Sequence, residues 1–333
     1  MANRTDPAHR HLTADRSRQL RTYTAACAAA VGLTVVLGHV LNAGTYWSRW
    51  TAQDWLRTYV QKALDYVQDP STFLFRDLTN PTGNFIVQHG IQPLRSFFIE
   101  TPWPVTLFGL VLIAFLLSGL RPAVTAFAML FVVGLVGEWA NAMDTFSQVL
   151  VATVLTVIVG LLIGVWAAES RWVARIVRPI NDVLQTLPQL VYIIPFIYLM
   201  PVSGVPGVVA SVLYASPVMI RLVQRGIEGV SSDAVEAATA FGSTRLQVLM
   251  KVKIPLARDA IMLGVNQAII MVLAVVVIGG LVGSGALGYE VAQGLQRNAF
   301  GQGVVASLAI LALGIALDRV TQGRGSARGR THA

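Results

Sequence analysis

Between Gln148 and Ala168 the chain carries no charged residue, and the same holds from Thr186 to Ile220, Ala260 to Tyr289 and Gly301 to Leu317. Ordinary soluble domains carry about 25% charged residues, whereas this chain of 333 residues has 13% charged and 54% hydrophobic. A bilayer core is crossed by ~20 apolar residues in helical form. The runs therefore read as transmembrane helices, and the expected fold class is all-α and polytopic. Eight spans are expected, at about 23–41, 104–120, 122–138, 146–168, 186–202, 204–221, 260–283 and 302–317. Pro188, Pro195, Pro201, Pro206 and Pro217 interrupt the fifth and sixth. Broken backbone at membrane depth survives only inside protein or beside a water-filled cavity, so these two spans are the candidates for a translocation path.

The net charge of +8 is a matter of topology, not of nucleic-acid affinity. Bases in short loops mark the cytoplasmic side. With the N-terminus inside, the inner segments hold Arg121, then Arg171, Arg175 and Arg178, then a row from Arg221 to Arg258, while the short outer loops hold only Arg297. An even number of spans places both basic termini in the cytoplasm. The expected organisation is a basic N-terminus at 1–22, accessory helices over 23–145 with an outer amphipathic segment at 43–103, a core at 146–317 and a basic tail at 318–333. Leu56, Val60, Ala63, Leu64 and Val67 predict a helix within the outer segment. The first span reads as a retained signal anchor, and its Cys27, the single cysteine, excludes an internal disulfide or thiolate cluster.

One polar, basic block interrupts the apolar pattern. Asp233 lies three residues before Glu236, as in a capping box. Ala234 to Ala240 is a strong helix-forming run, Gly242 suits a left-handed helix end, and Ser243 or Thr244 suits the cap of a second short helix. Pro255 is expected to prevent an uninterrupted continuation. The product is a helix–turn–helix parallel to the membrane. Because both its ends are tethered to the bilayer, it is a docking surface for a soluble protein and not a reader of DNA.

Glu236-Ala237-Ala238, Gly242 and Val252-Lys253-Ile254-Pro255 resemble, at matching spacing, the signature of permease subunits of bacterial type I ABC importers. Val252 and Ile254 are apolar exchanges within that pattern. The resemblance implies that Glu236, Ala237, Ala238, Gly242 and Pro255 belong to coupling helices gripped by an ABC ATPase subunit. Gln185-Thr186-Leu187-Pro188-Gln189, Gly264-Val265-Asn266-Gln267 and the glycine-rich Gly279 to Gly288 are similar to the glycine betaine/proline betaine (quaternary amine) permeases, over roughly 146–322. Ala286 stands where that family is expected to have Gly, and Gly279-Gly280 where Ala is usual. The resemblance further implies an extracytoplasmic solute-binding protein, a second copy of the permease or a paralogue, and residence in the bacterial cytoplasmic membrane.

The residues agree with such a solute. Aromatic faces attract a quaternary ammonium by ~0.5–2 kcal/mol per contact. Tyr192, Phe196, Tyr198 and Tyr214 lie on the candidate path, with no Asp or Glu between Gln185 and Arg221. Asn266 and Gln267 sit inside an apolar span, where they either touch solute or clamp helices. No phosphate-binding glycine loop is present, so ATP and Mg belong to a separate ATPase subunit and the chain is a transport subunit, not an enzyme. No metal-ligand set or cofactor site appears. Import of another small solute such as an amino acid, or an ATPase-independent channel or scaffold, stays open on these residues.

Overall fold

The structure is a computed structural model that describes residues 32–33, 36, 53–69, 71–200 and 204–322. The expected span 23–41 lies outside the described residues except for Gly32, Leu33 and Val36, which are helical; residues 323–333 of the tail also lie outside. Among the described residues every regular element is helical. The chain divides into two units, 1–65 and 66–333. Helix α1, Gln53–Gln68, is the amphipathic helix expected there, with Asp54 in its first turn, where the positive end of the helix dipole favours an acid.

In the second unit a nearly continuous helix α2 (74–100) bends by 117° into α3, Trp103–Ser118. A turn at Gly119 leads to α4, Leu120–Leu135, with Pro122 in its first turn. Each of these two helices has 16 residues, about 24 Å at ~1.5 Å per residue. The long α5, Trp139–Glu169, is followed by α6, Arg171–Thr186, which bends by 98° into α7, Gln189–Leu199. Then come α8, Val205–Glu228, the short α9, Ser232–Ala240, and α10 (245–256). The chain ends with α11, Arg258–Gly279, α12, Ala286–Gln296, and α13, Phe300–Gln322.

Among the described residues four helices are long and apolar enough to cross a bilayer, α5, α8, α13 and α11 with its extension to Ser284; the bent pairs raise the number to six. The expected fifth span is corrected. Its helical part is the 11-residue α7, only ~16 Å long. The stretch 171–186, expected to be a cytoplasmic loop up to its last residue, is a strongly amphipathic helix instead. Only one of the prolines in this region marks a break among the described residues. Leu187 and Pro188 are extended, whereas Pro179, Pro195 and Pro217 lie inside helices.

Pro81, Pro93 and Pro255 follow the same pattern as one another. Each sits in the first turn after a π-helical segment, at 74–79, 87–91 and 249–253 respectively. Proline lacks an N–H and its ring clashes with the carbonyl of residue i−4. The wider π turn removes that conflict, so the helix passes through.

The core is built on α5, α8 and α11, which pack side by side. Small residues permit this. A Cβ on Gly160 would meet Met219 at 2.2 Å, one on Gly164 would meet Val223 at 2.7 Å, and one on Gly264 would meet Met219 at 2.7 Å. Close approach of this kind drives helix association in lipid, where apolar burial gives little. A second cluster, with Leu107, Leu130, Val133, Met143, Leu287 and Leu313, joins α3, α4 and α13 to α5 and α12.

Candidate functional site

The block 231–256 stands out from the bundle. Ser231, not Asp233, caps α9, its hydroxyl accepting from the Ala234 N–H at 3.4 Å. The cap therefore lies two residues earlier than expected, and Asp233 and Glu236 do not form a reciprocal pair. At the far end Gly242 has φ +78°. Gly242 N–H donates to Thr239 O at 2.9 Å and Ser243 N–H to Ala238 O at 3.1 Å, the double bond of a Schellman ending. Thr244 then opens α10 with a complete capping box: its hydroxyl accepts from Gln247 N–H at 3.4 Å, and its own N–H donates to Gln247 Oε1 at 2.8 Å. Both turns of the elbow are thus rigidly defined by local bonds.

Glu236, Ala237, Gly242 and Pro255 are exposed and Ala238 is half-buried. Phe241 is 91% exposed and Leu246 68%. Among the described residues nothing covers this apolar tip. The root is the opposite. Ala257 is buried with Met219, Val223 and Ile227, and Leu249 packs on that cluster. Pro255 does not stop the helix; the break comes two residues later at Ala257, with ψ near 0°. Lys253 Nζ donates to Glu169 Oε1 at 2.6 Å, so the element is also tied to the C-terminal end of α5.

The aromatic candidates separate into two groups. Tyr192, Phe196 and Tyr214 come together with Ile193, Ala210 and Val275. The Tyr192 and Tyr214 rings meet edge to face at 5.7 Å, Tyr192 is 5% exposed, and its hydroxyl donates to Leu184 O. This hydroxyl bond crosses the α6–α7 bend. Tyr198 lies apart from that cluster and is 42% exposed. Asn266 and Gln267 also part company: Asn266 is buried and accepts from Thr321 Oγ1, joining α11 to α13, whereas Gln267 faces outward.

At the opposite end of α5 a polar group surrounds the glycine-rich break. Thr145 Oγ1 accepts from Leu287 N–H at 3.1 Å. Asp144 lies 3.7 Å from Arg95 of α2 and accepts from Gln148 at 3.3 Å. Gln148 in turn lies against Gly204, where an added Cβ would approach it at 3.3 Å. Gly283 and Gly285 have positive φ, and so does Ala286 at +63°. Backbones touch here: a Cβ on Gly288 would meet Val277 O at 2.1 Å, and one on Gly279 would meet Gly207 Cα at 2.9 Å. Helix α5 therefore connects two stations, the block 231–256 at Glu169 and the glycine break at Thr145.

Residues 160–322 match the family of binding-protein-dependent transport system inner membrane components. The glycine betaine/proline betaine transport system permease protein ProW of Escherichia coli is 36% identical over 270 residues, 81% of this chain and 75% of that protein. The chain belongs to this family of ABC transport permeases. The glycine betaine transport system permease protein OpuAB of Bacillus subtilis is 44% identical to the permease over 186 residues, 56% of this chain and 66% of that one. Among solved structures, the inward-facing MetNI methionine ABC transporter aligns at 21% identity and a TM-score of 0.48, covering 57% of this chain and 94% of that chain.

The permease is a multi-pass membrane transport component. The Lys253–Glu169 and Thr145–Leu287 links and the Arg95–Asp144 pair are not legible in the sequence. Thr145, Asp144 and Gln148 do leave a signal, a polar run at the very start of an apolar span. Their partners leave none, because they are 142 residues away for Thr145 and 84 for Lys253 and Glu169.

Proposed function

We propose that the permease imports a quaternary ammonium compatible solute, such as glycine betaine or proline betaine, as the membrane subunit of an ATP-driven importer. The observation that carries the mechanism is the elbow 231–256, rooted in the core at Ala257, tied to α5 at Glu169 and uncovered at Phe241 and Leu246. An apolar tip in water, held by a Schellman ending and a capping box, is built to be gripped. A separate ABC ATPase subunit holding ATP and Mg takes Glu236, Ala237, Ala238 and Gly242 in a groove. Its closure pulls the elbow, α5 follows through Lys253, and the glycine break at 279–288 opens to the outside. A solute-binding protein delivers the solute there, and a second copy of the permease or a paralogue completes the path. Both termini face the cytoplasm.

The solute class is supported by the names of the relatives and by the residues of α7 and α8. Tyr192, Phe196 and Tyr214 offer aromatic faces with no carboxylate among them, which suits weak, releasable binding of a permanent cation. Tyr192 and Tyr214 pack edge to face at 5.7 Å, so the two rings must part for a solute to pass between them. Asn266 serves as a helix clamp. Tyr198 and Gln267, both outward-facing, are assigned to the wall shared with the second membrane subunit.

The test is uptake of radiolabelled glycine betaine into proteoliposomes holding the permease, its ATPase and its binding protein, with choline, carnitine and proline as competitors. Glycine betaine transport that depends on ATP is expected, with loss in Tyr192→Ala. Nucleotide-independent flux, or a preference for an amino acid lacking a quaternary nitrogen, would refute the reading.

A further inference from the structure

Helix α6 presents three faces. Ala174 and Asn181 are buried, where the helix packs on α5 and α8. On the exposed side Trp172, Ile176, Ile180 and Val183 form an uncovered apolar stripe, all within about 80° of one another at ~100° per residue. Beside it Arg171, Arg175 and Arg178, also exposed, fall within a sector of about 60°. The Arg175 guanidinium lies 4.8 Å over the Trp172 ring. Among the described residues no carboxylate lies within ion-pair distance of any of the three arginines. The one acid on the same helix, Asp182, is engaged by Arg221.

These three arginines line one recess of about 620 Å³, together with Ala167, Ala168, Ala174, Glu169 and Glu228. Glu169 is paired with Lys253, while Glu228 accepts from the neutral Gln224 amide at 2.7 Å and keeps its charge, so the three arginines still leave the recess with a positive excess. Three unpaired guanidinium groups beside an uncovered apolar stripe select a ligand that is anionic at one end and apolar at the other. The geometry points to a binding site for an anionic phospholipid of the inner leaflet. Its phosphate enters the arginine recess, since planar guanidinium forks match phosphate oxygens, and its acyl chains cover the stripe from Trp172 to Val183.

Free phosphate satisfies the arginines and leaves the stripe bare. A second copy of the chain, related by a two-fold axis, would set like patch against like patch and bring two arginine rows together. Polybasic segments at the cytoplasmic surface gain from anionic lipid for the same reason. Glu169 forms part of the recess wall and also holds Lys253, so headgroup charge bears directly on the coupling element. The inference rests on the proposed orientation only for the choice of leaflet, and a lipid-binding measurement that fails leaves the uptake assay untouched.

The experiment is native mass spectrometry of the full-length permease in detergent, titrated with dioleoylphosphatidylglycerol or dioleoylphosphatidylcholine. Wild type is expected to retain phosphatidylglycerol adducts preferentially, with affinity falling about fivefold for each guanidinium removed across Arg175→Gln, Arg178→Gln and the triple variant with Arg171→Gln. Arg121→Gln, on a different inner turn, should keep the preference. A folded triple variant that still prefers phosphatidylglycerol overturns the site, and the single variants decide the matter if the triple variant does not fold. Displacement of the lipid by millimolar inorganic phosphate also overturns it, in favour of a phosphate site. Oxidative cross-linking of Trp172→Cys between two copies, in a Cys27→Ala background, overturns it in favour of a subunit interface.

Discussion

Removing the charge of Glu169 should uncouple the permease without unfolding it. Lys253 Nζ lies 2.6 Å from Glu169 Oε1, with the two side chains 23% and 33% exposed. Fully exposed ion pairs contribute ~0.2–1 kcal/mol, and hydrogen bonds to charged groups ~1.5–3 kcal/mol. A partly buried, well-aligned pair falls between them, at about 1 to 2 kcal/mol, which is about five- to thirty-fold in an equilibrium. That stabilisation is available only while the proposed coupling element and α5 move together. Glu169→Gln keeps the shape and an acceptor oxygen but loses the attraction. Uptake per ATP hydrolysed in reconstituted vesicles should fall by about five- to thirty-fold, with insertion and elution behaviour unchanged. Lys253→Met should lose a similar amount, and the double variant no more than either single one, since both remove the same contact. The charge exchange Glu169→Lys with Lys253→Glu should restore most of the coupling. If the two single losses simply add, or the exchange is no better than either single variant, the pair does not transmit force from the elbow to α5.

Other predictions concern backbone geometry. Gly242 has φ +78° with open space around it, so Gly242→Asn should keep uptake whereas Gly242→Val, with a left-handed cost of ~1–2 kcal/mol, should weaken ATPase co-purification. Gly288→Ala sets a methyl 2.1 Å from Val277 O; uptake should drop about tenfold or more while ATPase binding persists, because overpacking costs ~1–3 kcal/mol at the glycine break alone. Ala286 sits at φ +63°, and Ala286→Gly should relieve ~1–2 kcal/mol of strain against ~0.5–1 of added chain entropy. A thermal-shift assay should then show a rise of about 1 to 4 °C. Thr244→Ala removes a capping box and should destabilise the elbow by ~1 kcal/mol, read as faster hydrogen exchange at Arg245 to Val248.

The two glycine-rich features were legible to different depths. Gly242 could be placed because a helix-forming run, a glycine and a capping threonine follow one another within ten residues, and each acts locally. The cap at its start was misplaced by two residues, since Ser231 and Asp233 are both competent acceptors and only the observed backbone chooses between them. Ala286 departs from the family pattern, and its left-handed backbone gives that departure a physical cost. The prolines are the poorest guide to the breaks. Pro195, Pro217 and Pro255 read as interruptions, yet the helices continue through all three, at Pro255 by widening into a π turn. The amphipathic pattern of α6 was legible in the sequence, with Arg171, Arg175 and Arg178 beside Trp172, Ile176 and Ile180. Its three arginines also fit a cytoplasmic loop, and charge alone does not separate the two.

By itself the sequence determined the helical class, the positions of α5, α8, α11 and α13, and the elbow between α8 and α11. Hydropathy, capping and helix propensity act over a few residues, so they are written in order along the chain. Tertiary structure alone decided that Asn266 clamps Thr321 while its neighbour Gln267 faces outward, that the short α7 is paired with α6 across a sharp bend, and that α5 is tied at one end to Lys253 and at the other to Leu287. Those outcomes depend on which surfaces meet when helices pack at the closeness that Gly160, Gly164 and Gly264 permit, and contact between segments distant along the chain leaves no periodic trace in either of them.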